Sequence, residues 1–512
     1  MKLFAAAGSL LLASLFAVGC DSETNPDATG GQGGSSGGAY NGDGGAGNGG
    51  AGGEDAATGG AGGTTCAPSA PFCLSACQAP EGPKGAARST GVGAFKESST
   101  WLEGWTNWST NSSQLTEAQQ ALQLAALDPD NAATHALSED IAVDRTLTAD
   151  QAWFISGTVH VLDGVTLTIE PGTLIIGDYN PGGTLVVSRG GRLVAEGTAD
   201  APIIMTSAAV DGQRGAGQWG GLVLLGRASN FQGDDVQVNC LGVSPLNQHG
   251  PGAGEADDGW DCGSLAYVRV EFAGVQLNDE LSGFTVGSCG IDTQLSYIQS
   301  GTTLVDGFEF IGGAFDADHL VVNNAGDDLF DFDAGWRGTL DTFFGRHVTP
   351  WNADPNGLEW DSSNAGAPET PGDLPATNAH AVNGTLCGSG HGGSAVEPVQ
   401  CSLFGAVLRE KVTGSIQEVV FVGFAAAFDV RDNFLADGAG PAPKVSVEAS
   451  SAWDNVMGVA YEEDDAIVRG TQACTDEPNE SLCDDDFAFD ERQWFMSGIG
   501  NFWDGDGYPP SP

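Results

Sequence analysis

The sequence predicts an all-β chain wound as a right-handed parallel β-helix, a solenoid, with a short N-terminal helical cap and a disordered Gly-rich tether. Three observations carry this. Runs of four to seven residues rich in Val, Ile, Leu and Thr, separated by Gly or Asp turns, fill the chain from Phe154 almost to its end, which is the composition of short strands. These runs repeat: 157–161 returns as 183–187, 26 residues on, and 165–169 is echoed by 192–195. Further along, 282–286, 306–310, 328–332 and 356–360 align at steps of 24, 22 and 28.

A second column, 270–274, 298–301 and 322–326, shares the same phase. Each period therefore holds at least two strands meeting at a Gly or polar corner. Two or three short strands per coil of 22 to 28 residues is the spacing of a parallel β-helix, where each strand pairs with its counterpart one coil on, about 4.8 Å away. A propeller would need four strands per 40 to 50 residues and a sandwich alternating hairpins with two-residue turns, and neither fits. About ten coils fit between Thr148 and Asn455 once two insertions, 229–263 and 362–399, are set aside, for a stack about 50 Å long.

The elements before the solenoid follow in order. Met1-Lys2, an apolar stretch over 3–18 and the box Ala17-Val18-Gly19-Cys20 make 1–19 a lipoprotein signal peptide with Cys20 as the acylated residue. Sixteen residues interrupted by Gly8 and Ser9 fall short of the roughly 20 that span a bilayer, and an acylated Cys anchors a chain stably. The expected address is a bacterial cell envelope, at the outer membrane or cell surface, although Asp21 is a residue some bacteria read as inner-membrane retention. Residues 20–65 form the tether, too rich in Gly to bury a core, with a typical reach of about 35 to 40 Å. Residues 66–146 form a Cys-containing cap region with one helix: Thr116 precedes it, Gln119 completes a capping box, Leu115, Ala118, Leu122, Ala125 and Ala126 share a face, and Asp128-Pro129 ends it. The solenoid runs over 147–460, and 461–512, rich in aromatics, closes the far end or a flank.

Eleven cysteines, less Cys20, leave ten in an exported chain, enough for five disulfides. Spacing favours Cys240/Cys262, Cys387/Cys401 and Cys474/Cys483, with the order among Cys66, Cys73, Cys77 and Cys289 open. Zinc has no support, since none of the seven His forms a His-x-x-x-His or Glu-x-x-His pair. With 68 acidic against 18 basic residues, a formal net charge of -50, nucleic acid is excluded as a partner and anionic lipid is repelled. The membrane is reached through the lipid anchor alone, and the remaining partners are polysaccharide or a surface protein.

The motifs at 167–173 (ending Glu170-Pro171-Gly172-Thr173), 190–198, 201–207 and Gln218-Trp219-Gly220-Gly221-Leu222 resemble a family of bacterial exported parallel β-helix proteins, often lipoproteins and mostly uncharacterised. The resemblance covers 147 to about 433 and implies architecture and an envelope address.

The repeat also positions chemistry. Phe308/Phe330/Leu358 and Phe310/Phe332/Trp360 share parity and should point inward, which turns Glu309, Asp331 and Glu359 outward in one column, with Asp333 and Asp361 widening the strip. Two unit charges about 5 Å apart repel by about 3 kcal/mol at an effective dielectric of 20, so the column should recruit a cation or raise a carboxyl pKa. Oxygen-only ligands suit Ca²⁺, the one cofactor expected. Asp306, Asp328 and Asn356 occupy equivalent corners, where Asx side chains bond the turn backbone and stack as a ladder.

For catalysis, Gly326-Asp327-Asp328, Gly390-His391-Gly392 and Arg409-Glu410-Lys411 resemble the paired acid, histidine motif and basic clamp of polygalacturonase-type β-helix hydrolases, although no Asn-Thr-Asp precedes the pair. That resemblance makes Asp327, Asp328, His391 and Arg409 the candidate catalytic residues, two carboxylates being what inverting hydrolysis needs. A lyase would instead use Arg337 or Arg346 as base beside His347. The expected function is binding, adhesion or scaffolding through an acidic, Ca²⁺-dependent face, with glycoside hydrolysis or polysaccharide elimination as the alternative.

Overall fold

A computed structural model of the 512-residue chain describes residues 93–461 with breaks, the longest at 95–99, 131–134, 351–354, 363–373, 390–401 and 431–444, together with 496–497. The lipidation motif at Cys20, the tether, Cys66, Cys73, Cys77, Cys401, Cys474, Cys483, His391 and most of the C-terminal segment lie outside the described residues.

The chain winds as a right-handed parallel β-helix. One wall is a ten-stranded sheet, matching the expected coil number: β1 (Thr158–Val161), β2 (Thr184–Val187), β3 (Gly221–Leu225), β4 (Phe284–Gly287), β5 (Phe308–Ile311), β6 (Phe330–Asp333), β7 (Leu358–Trp360), β8 (Phe404–Leu408), β9 (Ala426–Val430) and β10 (Met457–Tyr461). Each pairs in parallel with the next, and Phe284, Phe308, Phe330 and Leu358 stand in one register as the repeat predicts. Alternation along each short strand sends every second residue inward. The Phe308 and Phe330 rings stack at 5.6 Å, Phe310 and Phe332 at 5.5 Å, and all four are fully buried. A parallel register makes such columns unavoidable, because identical positions recur one strand spacing apart.

The other walls are made by paired strands that merge in the middle of the stack and separate again after Asn378–Cys387. Early coils use two, such as Arg192–Glu196 and Ile203–Ser207, whereas Gly263–Glu271 pairs with both, one half on each. The bend in this and later coils falls on a left-handed residue: Tyr267, Tyr297, His319, Thr342 and Asn383 have φ between 50° and 59°. Such a conformation costs an L residue about 1–2 kcal/mol, and it recurs because the corner recurs. The register runs unchanged through the corner, Leu265 pairing with Leu295 before it and Val268 with Ile298 after it. Its side chains stack too, Tyr267 on Tyr297 at 4.5 Å and Tyr297 on His319 at 4.2 Å.

Helix α1 (Glu117–Leu127) has the expected capping box at Thr116 and Gln119. With Leu115, Leu122 and Ala126 it covers Ala152, Leu174, Ile176 and Ile204, the outward residues of the first coils, so it protects a flank at the N-terminal end of the stack. The preceding segment continues along the wall through Trp105 and Asn107. A buried pair lies beneath it, Arg269 Nε to Glu271 Oε1 at 2.9 Å, and Asn107 donates to the same carboxylate at 3.0 Å.

The disulfide expectation needs correction. Cys262 joins Cys289, not Cys240. Loop length suggested the local closure, but in a solenoid residues 27 apart lie one coil apart, and these two Cα atoms stand 5.8 Å from each other. Cys240 and Cys387 are also in disulfides.

Candidate functional site

Strands β5, β6 and β7 present Glu309, Asp331 and Glu359 in register on the outer face of the ten-stranded sheet. Thr285 precedes them on β4 and its hydroxyl donates to Glu309 Oε2 at 3.0 Å. Two residues along, Asp333 and Asp361 form the parallel column. At the corners before the strands, Asp306 Oδ1 accepts the Asp328 N–H at 3.0 Å, Asp328 Oδ1 accepts the Asn356 N–H at 2.6 Å, and Asn356 Oδ1 accepts the Phe404 N–H at 3.2 Å. The Asx ladder expected from the repeat is present, extended by a Ser282 hydroxyl donating to Asp306 Oδ2 at 2.8 Å.

Asp306 and Asp328 of the ladder, with both columns, line one cavity of about 280 Å³ that among the described residues holds nine carboxyl groups, Glu280, Asp306, Glu309, Asp327, Asp328, Asp331, Asp333, Glu359 and Asp361, and a single cation, Arg409. All five candidate metal residues are among them. So are Asp327, Asp328 and Arg409 of the four candidate catalytic residues; His391 lies outside the described residues.

Arg409 is clamped between acids, with one guanidinium nitrogen 2.6 Å from Glu359 and 2.9 Å from Asp361. Burial alone would lower its pKa, and the two carboxylates outweigh that and hold it above the ordinary range. One guanidinium cannot balance nine acids. Burial, followed by the neighbouring Asp327 and Glu309, pushes Asp306 well up; burial and a hydrogen-bonded Glu359 push Asp328 up. Asp331 rises through burial and then Asp306 and Glu359, and Asp361 through burial and its hydrogen-bonded neighbour Asp333. Like charges gathered out of water therefore hold the Asp328, Asp333 and Asp361 pKa values above the ordinary carboxyl range.

The arrangement suits a hard cation. Asp306, Asp327 and Asp328 each offer an oxygen, all within 4.8 Å of one another, which is the separation of ligands across an ion with 2.3–2.6 Å bonds such as Ca²⁺. Asp331 Oδ1 and Asp361 Oδ1 are buried and meet no hydrogen-bond donor among the described residues, so the set has acceptor capacity to spare.

The lyase residues do not meet here, and none of them lines the cavity. Arg337 pairs with Asp258 at 3.1 Å. Arg346 is buried against Trp108, its pKa pushed down to about 10 by burial. His347 is buried with its nitrogens 2.7 Å from Ser402 Oγ and 2.8 Å from the Asp327 carbonyl. It steadies the backbone of an acid rather than facing substrate.

One wall of the cavity was not legible. It comes from the first insertion through Gln232, Val236, Gln237, Val238, Asn239 and His249. That segment packs Val238 on Val186, Val223 and Leu225, the apolar outer face of β2 and β3. Those three outward apolar residues, in strands whose later counterparts carry acids, were the available signal that something covers the early part of the face.

No curated protein matches the chain. Among solved structures, the catalytic unit of a thermostable GH87 alpha-1,3-glucanase from Streptomyces thermodiastaticus strain HF3-3 is similar at 12% identity and a TM-score of 0.32, over 68% of this chain and 59% of that one. The chain thus spans less than two thirds of that structure. The family model described as a pectate-lyase like beta helix domain matches residues 139–476, which takes in every coil of the ten-stranded sheet and every wall of the cavity, and the chain belongs to that family.

Proposed function

We propose that the protein is a lipid-anchored bacterial envelope component whose β-helix binds polysaccharide at a Ca²⁺-loaded acidic basin, in adhesion or scaffolding. The observation that carries this reading is the gathering of nine carboxylates around one arginine in a single cavity on the sheet face. Without a cation, burial and like charge raise the pKa values of Asp306, Asp328, Asp331 and Asp361; Asp306, Asp327 and Asp328 would hold Ca²⁺, and the bound ion would offer coordination positions to sugar hydroxyls. Membership of a pectate-lyase like family supports a glycan as the ligand. The lipobox at Cys20 and the tether support display at the cell surface.

The test is calorimetry of the mature protein with Ca²⁺, followed by retention on immobilised neutral and acidic polysaccharides with and without EDTA. Saturable Ca²⁺ binding that Asp306→Asn weakens at least about tenfold, and EDTA-sensitive retention, are expected. Wild-type protein that binds no Ca²⁺ removes the metal from the reading.

Cleavage is the second reading, and one contact favours it. Asp328 is hydrogen-bonded to Glu359, and burial together with that neighbour raises its pKa, the direction a general acid needs. Reducing ends released from the same panel, and lost in Asp328→Ala, would place catalysis above binding.

A further inference from the structure

The insertion wall carries one polar group that the fold leaves without a partner. His249 ends the short strand Gln248–His249, is fully buried and lines the acidic basin. Its ring lies on the backbone of Gly287, where an added Cβ would stand 2.8 Å from the imidazole Cγ. Gly287 is the register neighbour of Ile311, and Ile311 of Asp333. The imidazole therefore fills the place left by a missing side chain in the very column that supplies Asp333.

The hydrogen bonds around the ring select its tautomer. Asn230 Oδ1 accepts the N–H groups of Gln232 and Gly233, both at 2.8 Å, so its amide nitrogen is the donor, to the Gly233 carbonyl at 2.9 Å and to Ser288 Oγ at 3.1 Å. With that donor on its oxygen, Ser288 keeps its own proton to give, and His249 Nδ1 stands 2.8 Å away. In the tautomer this arrangement favours, Nδ1 accepts and Nε2 carries the hydrogen. Burial, with Arg189 nearby, pushes the His249 pKa down to about 3, so the ring is uncharged. Nε2 is buried and meets no hydrogen-bond partner among the described residues, a state that native proteins resolve with a ligand or water. A protonated Nε2 has no lone pair for a metal.

We propose that His249 is a specificity-determining residue of the basin, presenting an Nε2–H donor to a hydroxyl oxygen of an uncharged sugar. The inference rests on the polysaccharide reading above and narrows it. The neighbouring wall fits the same ligand: Gln232, Gln237 and Asn239 are uncharged amides, whereas a sugar carboxylate would enter a cavity lined mostly by carboxyl groups.

The test uses the mature full-length protein. Long-range ¹⁵N–¹H spectra of the imidazole rings, assigned with H249Q, report the tautomer; Nε2 protonated and Nδ1 bare is expected, with and without Ca²⁺. Binding is then measured against gluco- and manno-oligosaccharides and oligogalacturonate. Neutral oligosaccharides should bind, H249F should lose at least about tenfold in affinity, and H249Q, which keeps a donor, should stay within about threefold of wild type. If Phe is not accommodated, H249A serves as the donor-free variant. A charged or Nδ1-protonated ring, loss of the Nε2 proton on adding Ca²⁺, unchanged affinity in the donor-free variant, or binding of oligogalacturonate alone would each overturn the proposal. Those outcomes leave the polysaccharide reading intact. Wild-type protein that binds no oligosaccharide while showing the expected ring sinks that reading, and the ligand role of His249 with it.

Discussion

Asp306 Oδ1 accepts the backbone N–H of Asp328, 22 residues later, at 3.0 Å. The same carboxyl thus ties one coil to the next and lines the candidate site, so structure and chemistry share an atom group. A variant that separates the two tasks is informative.

Asp328→Asn keeps an Oδ1 acceptor for the Asn356 N–H and removes a titrating group. Asp328→Ala loses both and leaves a buried N–H unpaired, which costs about 1–3 kcal/mol. Urea denaturation should show the Ala variant destabilised by that amount and the Asn variant close to wild type at pH 7. Equal losses in the two would mean that the ladder bond contributes nothing.

Acidification should stabilise the Ca²⁺-free protein. Asp306, Asp328, Asp331 and Asp361 have folded pKa values above the ordinary 3.8. For an acid raised on folding, the contribution to stability is full below the unfolded value and is lost as pH climbs through the folded one. Thermal midpoints in EDTA should therefore fall from pH 5 to pH 8, and Ca²⁺ should recover the loss at pH 8. A midpoint that rises over this range without Ca²⁺ contradicts the raised acids.

Arg409→Gln removes the guanidinium between Glu359 and Asp361. Taking one partner from a buried ion pair costs about 3–5 kcal/mol in general; Arg409 is 29% exposed, which puts the expectation nearer 2 kcal/mol at pH 8. The penalty should shrink at pH 5, because burial and Asp333 raise the pKa of Asp361, one of the acids it faces. A penalty independent of pH would assign Arg409 a packing role.

Phe330→Ala opens the centre of the aromatic column, between Phe308 at 5.6 Å and the edge of Phe343 at 5.4 Å. A loss of about 3–5 kcal/mol is expected. Chemical denaturation measures it, and a loss below about 1 kcal/mol would mean that the ring stack is not close-packed.

Cys289→Ser opens a bridge across 27 residues, for which loop-closure entropy gives about 3.5 kcal/mol. Mass mapping of the wild-type peptides checks the pairing, and a Cys240–Cys262 peptide would restore the local closure that sequence spacing favours.

Much of this was legible because a solenoid turns sequence period into spatial adjacency. The steps of 24, 22 and 28 residues put Phe308, Phe330 and Leu358 in register, and alternation along the strand then placed Glu309, Asp331 and Glu359 outside without further information. The corner role of Asp306, Asp328 and Asn356 followed from the same period. What the period does not govern was missed. The insertion has no counterpart in other coils, so nothing in its spacing indicates that His249 lies over Gly287. Cys262 was read by distance along the chain, when adjacency here skips a whole coil. The resting place of α1 depends on which outer face is apolar, a property of Ala152, Leu174 and Ile204 taken together.

The acids of the basin floor come from consecutive turns, β5, β6 and β7, in the middle of the stack. Each rung touches only the rungs above and below it, so lengthening the tower by duplicating a rung near either end would leave those turns and their spacing unchanged. Height and recognition are thereby uncoupled, and a lineage could lengthen the tower without redesigning its acidic basin.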